Sequence, residues 1–253
     1  MKVGAHTPSQ HPLAEAEARN ADLVQIFLSN PQGWKKPSPR EDATELRSAT
    51  IPVYVHAPYL INVCADNNRV RIPSRKILQD TCDAASEIGA EAVIVHGGHV
   101  TGAGPQEEGI DRWRKALDAL DTEMTVLIEN TAGGDKALGR RVEWIKRLWE
   151  EIGSYGVGFV LDTCHSWAGG EPFDGLVERV MDATGRIDLV HANDSKDGFD
   201  SRRDRHQNLG KGEIPADHLA TTIATAGAPV VVETPGGTEE QGADIEWVRE
   251  LVK

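Results

Sequence analysis

Eight short runs rich in valine and isoleucine recur along the chain, and longer amphipathic segments separate them. The runs are KVGAH from Lys2, DLVQIFLS from Asp22, PVYVHA from Pro52, EAVIVHGG from Glu91, MTVLIEN from Met124, VGFVLDT from Val157, IDLVHAND from Ile187 and PVVVETP from Pro229. Strands that are apolar on both sides and alternate with helices are typical of a parallel sheet. Eight such units in 253 residues predict a (β/α)8 TIM barrel, an α/β fold.

The segments between the runs have helical periodicity. SRKILQDTCDAASEIGA (74–90) and LGRRVEWIKRLWEEIG (138–153) are two examples. In the second, one face carries Val142, Ile145, Leu148, Trp149 and Ile152. A doubly wound open sheet would alternate in the same way, but no G-x-G-x-x-G sequence follows the first run. We expect one barrel domain over residues 1–253, because no linker or low-complexity tract interrupts the chain.

Composition and charge restrict the partners and the location of the protein. The N-terminal sequence MKVGAHTPSQ has no apolar core of a signal peptide, and no apolar run is long enough to cross a membrane. We therefore expect a cytoplasmic protein with no membrane partner, and a monomer. Three cysteines, Cys64, Cys82 and Cys164, have no metal-binding spacing and predict free, buried thiols. The net charge of −13 argues against a bulk electrostatic attraction to nucleic acid.

Six successive runs end in a side chain that can bind a divalent metal. These residues are His56, His96, Glu129, Asp162, His191 and Glu233. The carboxyl ends of the strands of a parallel barrel meet at one face, where the βα loops converge. Buried carboxylates are costly without a partner, and imidazole and carboxylate are the usual ligands of zinc and similar ions. The pattern predicts a metal centre at this face.

Three further candidates lie in the loops: His165, Asp204 and His206. Asp162 could simply cap a following helix, which would leave His165 incidental. Asp204 and His206 are two residues apart, and alternate residues of an extended segment point the same way, so the pair can hold one ion. Nine candidates exceed the three or four ligands of a single metal. The pattern favours a cluster of two or three ions, which suits phosphoester hydrolysis.

The sequence resembles endonuclease IV, the zinc-dependent family of abasic-site endonucleases. The resemblance rests on VGAH, HAPYLIN, VIVHGGH, LIENTAG, LDTCHSWAGG, HANDSKDGFDSRRDRHQNLGKGEI and VVETPGG, which together span essentially the whole chain. LDTCH followed by NDSK and DRHxxLGxG is not a generic barrel pattern. The resemblance implies a DNA-repair enzyme that cleaves double-stranded DNA on the 5′ side of abasic sites. The products would be a 3′-hydroxyl and a 5′-deoxyribose phosphate, and the enzyme would also trim blocked 3′ ends.

The resemblance further implies three zinc ions per chain, with Mn²⁺ as an alternative at one position. The ligands would be His56, His96 and Glu129 for the first ion, Glu129 again with Asp162, His191 and Glu233 for the second, and His165, Asp204 and His206 for the third. Glu129 would be the catalytic carboxylate because it holds the metals around the attacking water, and it would not be the nucleophile itself.

Loops around the same face supply candidate DNA contacts. These are Gln32, Trp34, Tyr59, Leu60, Arg203 and Arg205. Tyr59 and Leu60 would fill the gap that a flipped-out nucleotide leaves in the stack. Gln32 stands in SNPQGW, where the family pattern K-N-Q-R-Q-W has an arginine. A basic rim of loop residues would offset the acidic body: Lys35, Lys36, Arg69, Arg71, Lys196, Arg202, Arg203, Arg205 and Lys211.

One departure from the family lies next to a candidate ligand. Many members read HPG where this chain reads HGG at 96–98. The change keeps the histidine, but glycine is conformationally freer than proline, so we expect a looser turn.

Two other classes of protein remain compatible with parts of this pattern. Sugar isomerases and epimerases share the barrel and use one divalent metal near the same strand ends. They need only about four ligands, which would leave His165, Asp204 and His206 unexplained. A non-catalytic metal-binding or DNA-binding module would not need Glu129 as a bridge. The number of metals per chain separates the abasic-site endonuclease from the isomerase or epimerase. Cleavage of abasic duplex would eliminate the non-catalytic module.

Overall fold

The computed structural model describes residues 1–251, and its eight parallel strands close into a barrel. The barrel strands are β1 (Val3–His6), β2 (Val24–Phe27), β3 (Val53–His56), β4 (Ala92–His96), β5 (Val126–Glu129), β6 (Gly158–Asp162), β7 (Leu189–His191) and β10 (Val230–Val232). They follow one another around the barrel in chain order, and β10 pairs with β1. A short antiparallel pair, β8 (Asp194–Ser195) and β9 (His206–Gln207), lies between β7 and β10 in the chain. The barrel prediction is confirmed, and the open sheet is excluded.

Helices follow the barrel strands and complete the βα alternation. They are α1 (Pro12–Ala18), α2 (Ala43–Arg47), α3 (Asn68–Glu87), α4 (Glu107–Asp118), α5 (Val142–Ile152), α6 (Thr163–Gly169), α7 (Leu176–Thr184), α8 (Ala216–Ala226) and α9 (Thr238–Leu251). A single 3₁₀ turn (Gly153–Tyr155) follows α5. Within residues 1–251, none of these helices combines the length and apolarity that a membrane span requires.

Two helices begin at places that periodicity does not indicate. Helix α3 starts six residues before the segment identified in the sequence, because the side chain of Asn67 caps it by accepting a hydrogen bond from Arg69 N. Helix α5 starts only at Val142, whose N–H donates to the distant carboxylate of Glu171 at 3.0 Å. Its predicted apolar face is buried from Ile145 onward.

The strands separate two layers of the core. Inside the barrel lies a buried cluster of Leu23, Tyr54, Ala92, Ile94, Leu127, Val160, Leu189 and Val231, and a larger cluster lies between strands and helices. In β2, Val24 and Ile26 belong to the outer cluster, while Leu23 just before the strand belongs to the inner one. Because side chains alternate along a strand, Gln25 shares the inner side with Leu23. This fully buried amide lies one step nearer the carboxyl end of the barrel.

A glycine in β1 and the three cysteines are explained by their packing. A Cβ at Gly4 would lie 1.9 Å from the carbonyl oxygen of Leu23, so only glycine allows the chain to pass at this point. Cys64, Cys82 and Cys164 are buried and free, which confirms the prediction of buried thiols.

Candidate metal centre

The six strand-end candidates meet at the carboxyl end of the barrel. Strand register places His96 beside Glu129 and Asp162 beside His191. Glu129, Asp162 and His191 are 0% exposed, and His56 is 2% exposed. Neighbouring parallel strands therefore bring carboxylates and imidazoles into contact at a place where water does not screen them.

Glu129 lies at the centre of this group, and each of its oxygens faces a different pair of histidines. Oε2 is 3.1 Å from His56 Nε2 and 3.5 Å from His96 Nε2. Oε1 is 3.0 Å from His165 Nδ1 and 3.2 Å from His191 Nδ1. A carboxylate in this position can bridge two cations.

The potential ligand atoms form overlapping groups, each within 4.8 Å. They are His56, His96 and Glu129; Glu129, Asp162, His191 and Glu233; Asp162, His165 and His206; and Cys164, Asp204 and His206. The first two groups have the same members as the first two ligand sets implied by the resemblance. For the third set, the structure places Asp162 as well as Asp204 beside the two histidines. Asp204 is 3.1 Å from His165 Nε2 and 3.0 Å from His206 Nε2.

Three buried polar atoms of these groups have no hydrogen-bond partner: Glu129 Oε1, His191 Nδ1 and His206 Nε2. Glu129 Oε1 and His191 Nδ1 approach to 3.2 Å without the alignment of a hydrogen bond. Buried polar atoms left in this way are costly, and a cation between them would satisfy them. Within residues 1–251, Glu129, Asp162 and Glu233 form ion pairs only with histidines. The donor set therefore fits divalent metal ions of the zinc type.

Four of the histidines are oriented by an oxygen atom next to one ring nitrogen. His56 Nδ1 donates to Ala57 O at 2.7 Å, and His165 Nδ1 lies 2.9 Å from Asn130 O. His206 Nδ1 lies 3.3 Å from Glu233 O. The fourth, His191, meets a side-chain amide oxygen instead of a backbone carbonyl. Such contacts fix the ring and the tautomer, which is how metal-binding histidines are commonly held.

Asp162 has two roles at once, which resolves the choice left open by the sequence. Its Oδ1 caps helix α6 by accepting a hydrogen bond from His165 N at 2.6 Å. Its Oδ2 accepts from Asn193 Nδ2 at 2.7 Å and lies 3.8 Å from His206 Nε2. The helix cap and the candidate ligand are therefore the same carboxylate, and the cap fixes the position of His165.

Burial and the histidines act in opposite directions on the carboxylates. Burial would raise the pKa of Glu129, but His191 and His96 hold that pKa well below its usual range. Burial is likewise opposed at Glu233, where His191 lowers the pKa. At Asp162, burial dominates and raises the pKa. Glu129 and Glu233 are thus held as anions.

The histidines divide into neutral and charged forms in the absence of metal. Burial lowers the pKa of His96 to about 4, so this ring is neutral at pH 7. Burial also opposes charge on His191, but the carboxylates of Glu233 and Glu129 together outweigh it and raise the pKa to about 9. At His206, burial is likewise opposed by the nearby carboxylates of Asp204 and Asp162, which together raise the pKa to about 9. Protons thus balance the carboxylates where metals would otherwise do so.

Several supporting residues escaped the sequence analysis. Asn130 Oδ1 accepts from Asp162 N at 2.7 Å, and Asn193 Oδ1 accepts from Glu233 N at 2.9 Å. Both asparagines stand one or two positions after a candidate ligand, in LIEN and HAND. Their position in the sequence could have identified them, because polar groups next to metal ligands commonly hold those ligands in place.

The loop that carries Asp204 is attached to helix α6. Asp200 N donates to Trp167 O at 3.0 Å, and Arg202 N donates to Ala168 O at 2.8 Å. Asp200 and Arg202 both have left-handed backbone conformations, with φ of 57° and 60°. Non-glycine residues rarely adopt this conformation, so the loop has a specific and constrained path toward the site.

The predicted DNA contacts lie around the rim rather than in the buried centre. Gln32 is exposed, and Trp34 is 43% exposed. Tyr59 is 50% exposed; its ring stacks on His96 at 5.8 Å and contacts Phe27 edge-on at 5.1 Å. Leu60 next to it is half-buried.

The two predicted arginine contacts are exposed but share an acidic partner. Arg205 forms a two-point contact with Asp197, and Arg203 lies 3.6 Å from the same carboxylate. Arg202 pairs with Asp135 at 2.6 Å. The basic rim therefore has less free positive charge than the sequence alone indicates.

The HGG turn is anchored. Gly97 N donates to Glu129 O at 3.0 Å, and Gly97 O accepts from the Trp113 indole at 2.8 Å. Proline at position 97 could not donate the first of these bonds. Glycine at this position therefore allows a hydrogen bond to the strand that carries Glu129, and the looser turn stays a prediction.

Comparisons with known proteins agree with this geometry. A family model described as a xylose isomerase-like TIM barrel matches residues 13–251. A curated protein of Mycobacterium tuberculosis (strain H37Ra) named probable endonuclease 4 is 58% identical over 252 residues, 99% of this chain and 98% of that protein.

Solved structures resemble the chain along its whole length. Endonuclease IV from Thermus thermophilus has a TM-score of 0.85 at 28% identity and covers 100% of this chain and 99% of its own. A D-tagatose 3-epimerase-like protein has a TM-score of 0.81 at 21% identity, covering 100% of this chain and 97% of its own; this likeness shows the fold alone. The full-length identity to the mycobacterial relative favours the endonuclease over the sugar epimerase. The chain belongs to the endonuclease IV family and is an endonuclease of that type.

Proposed function

We propose that this enzyme hydrolyses the phosphodiester on the 5′ side of abasic sites in double-stranded DNA, using three zinc ions, and that it also trims blocked 3′ ends. The observation that carries the proposal is the position of Glu129, whose two oxygens face two separate histidine pairs. A single-metal site has no use for such a bridge. Multi-metal centres with mixed ligands suit phosphoester hydrolysis.

The proposed ligands are the nine sequence candidates. His56, His96 and Glu129 would hold the first ion, Glu129, Asp162, His191 and Glu233 the second, and His165, Asp204 and His206 the third. When bound, the metals would supply positive charge that activates water and stabilises the phosphorane and the departing 3′-oxygen. Asp162 lies close to His165 and His206, so it would also be able to contact the third ion.

The protein's own side chains would orient the substrate and shape the centre. Glu129 keeps the ligand sets together from a fully buried position, where electrostatic attraction is strong. His96, His206 and Asp204 keep side-chain exposures of 20%, 17% and 49%, so this edge of the centre is open to an incoming phosphate. Tyr59 projects beside the open edge, where it would fill the gap in the stack.

DNA binding would depend on local charge rather than on the net charge of −13. Lys35, Lys36 and Lys196 are exposed, and within the described part of the chain they have no ion-pair partner. Unpaired cations of this kind release counterions when they meet phosphates, which gives binding a strong salt dependence. The acidic body would limit the affinity.

Metal counting and cleavage assays together test the proposal. We expect about three zinc ions per chain after exhaustive dialysis, and cleavage of a duplex with a tetrahydrofuran abasic analogue 5′ to the lesion. An identical duplex without the lesion is the control, and a duplex with a 3′-phosphoglycolate end tests the trimming activity. A fully active preparation with one metal per chain, or equal cleavage of both duplexes, would overturn the assignment.

A sugar isomerase or epimerase would give a different result in the same experiment. It would hold one metal and leave the abasic duplex intact. The monomeric state, the cytoplasmic location, the single-domain organisation and the possible Mn²⁺ at one position stay predictions.

A further inference from the structure

Gln25 is a fully buried amide that reaches across the barrel to two candidate ligands. It lies in β2, while its partners lie at the ends of β7 and β10. Gln25 Oε1 is 2.8 Å from His191 Nε2, and Gln25 Nε2 is 2.6 Å from Glu233 Oε1. A third contact joins Gln25 Nε2 to His6 Nδ1 at 2.9 Å. Apolar side chains usually fill the inside of such a barrel, as Leu23 does two residues earlier on the same face. Gln25 instead places a polar group with three contacts there.

The partners determine which way the amide points. Glu233 is a carboxylate at this position and can only accept, so the NH₂ group of Gln25 must face it. The carbonyl oxygen of Gln25 then faces His191 and can only accept, so His191 must carry its proton on Nε2. The second hydrogen of the NH₂ group points to His6 Nδ1, which accepts. Both hydrogens and the oxygen of the amide thus have a partner, whereas a flipped amide would place its carbonyl oxygen against the carboxylate of Glu233.

This arrangement leaves His191 Nδ1 as the free nitrogen of the ring. Nδ1 is 3.2 Å from Glu129 Oε1 and 3.3 Å from Glu233 Oε2, and it has no hydrogen-bond partner. It is therefore the nitrogen that can bind a cation shared with these carboxylates. The same amide holds Glu233 through Oε1, which leaves Oε2 facing His191.

We infer that Gln25 is a positioning residue of the second metal group: it selects the Nε2–H tautomer of His191 and orients Glu233 toward the same ion. The inference rests on the proposed metal centre. Gln25 would touch neither metal nor DNA and would act only through His191 and Glu233. Removal of such an outer contact typically lowers metal affinity by about 10- to 100-fold.

Gln25→Met tests the role, because methionine has a similar length and no hydrogen-bonding amide. The matched control is Gln241→Met. Gln241 is also buried and bonds to Arg19, Thr234 O and His6 O, but it contacts no candidate ligand. Both variants lose a buried amide, so both should unfold at lower temperature without metal. Only Gln25→Met should bind one of its zinc ions about 10- to 100-fold less tightly in competition with a chromophoric chelator.

A measurement on the wild-type protein covers the case in which Gln25→Met does not fold. Long-range ¹H–¹⁵N NMR of the zinc-loaded protein should show His191 with its proton on Nε2. A proton on Nδ1, or equal zinc affinity of Gln25→Met and Gln241→Met, would overturn the role of Gln25 and leave the metal centre standing. A wild-type protein that takes up no zinc would overturn both.

Discussion

The buried centre and the exposed rim of this enzyme differ in how their geometry is determined. Glu129, Asp162 and His191 stand at the ends of neighbouring parallel strands, and hydrogen bonds from the backbone and from amides fix them. Gln32, Trp34 and Tyr59 stand on loops and are largely exposed. The centre is thus set by the barrel itself, whereas the rim is set by loop sequence.

The difference indicates which properties can vary between relatives. A change at the centre alters groups that are already unsatisfied or charged in a dry environment, where each contact is worth several kcal/mol. A change at the rim alters groups in water, where a single ion pair is worth about 1 kcal/mol or less. We therefore expect catalysis to depend steeply on the centre and DNA affinity to depend gradually on the rim.

The largest effect should come from Glu129→Gln. An amide oxygen is a poor bridge between cations, so the first two ligand sets should separate. We expect cleavage of abasic duplex to fall by about 10³-fold or more, which corresponds to about 4 kcal/mol of lost transition-state stabilisation. The fold should survive, since the replacement is isosteric.

Glu171→Gln is the matched control for Glu129→Gln. Glu171 is a buried carboxylate that contacts Val142 N, Arg141 and Arg179 and none of the candidate ligands. Its variant should keep normal kcat and metal content. Near-normal kcat of Glu129→Gln with full metal occupancy would contradict the bridging role.

Removal of metal should give the protein a distinctive pH dependence. The pKa values of His191 and His206 are about 9 in the metal-free fold, against about 6.5 in an unfolded chain. Both states are protonated below pH 6.5, so the stabilisation is complete there and is lost as pH rises to 9. The free energy of unfolding should therefore fall over this window, by at most about 3 kcal/mol per histidine.

Urea unfolding at several pH values between 6.5 and 9 measures this loss. The metal-free protein should become less stable with rising pH. The zinc-loaded protein, freed of excess zinc, should not, because deprotonated histidines bind metal better. A metal-free protein whose stability is constant or rises with pH would show that these histidines are not charged partners of the carboxylates.

His206→Ala should have an intermediate effect. His206 belongs to the third ligand set but is absent from the first two groups. We expect the variant to lose one metal of three, with a loss of about 10- to 100-fold in cleavage. His218→Ala removes a partly buried histidine that stacks on Phe173, away from the centre, and should lose none. Loss of every metal from His206→Ala, or of none, would rule out a separate third position.

The proximity of the strand-end candidates could be predicted from sequence because topology alone brings them together. Once eight βα units are recognised, His96 and Glu129 must be neighbours, whatever their loops do. The position of Asp162 beside His165 and His206 could not be predicted in the same way. It depends on the path of the loop that carries Asp204, which turns through left-handed residues at Asp200 and Arg202.

Periodicity in the sequence also could not predict the contacts between distant segments. Gln25 meets His191 and Glu233 from a position more than 160 residues earlier in the chain. The start of α5 depends on Glu171, which lies 29 residues away from Val142. A single sequence carries local patterns well, but a hydrogen bond between distant residues becomes visible only when the fold is known.

At the rim, Tyr59→Ala should raise KM for abasic duplex by about 10-fold, because base-step filling by an aromatic ring is worth about 1–3 kcal/mol. Tyr59 also packs on His56 and His96, so metal content must be measured in the same sample. Tyr155→Ala, at another exposed tyrosine after α5, is the control. Unchanged KM of Tyr59→Ala would exclude this ring as the wedge, and loss of the first metal would show that it mainly protects the ligands.

The smallest effect should come from Gln32→Arg, which restores the residue type of the family pattern in the early loop. Gln32 is exposed, and its backbone N–H is held by Asn30 at 2.9 Å, so an arginine could extend from an ordered turn. One added phosphate contact should tighten DNA binding several-fold at low salt and steepen the slope of log Kd against log salt by about one unit. Gln79→Arg adds the same charge on the outer surface at α3 and should change the slope far less. If both variants bind DNA alike, the gain comes from net charge alone, and the early loop does not touch DNA.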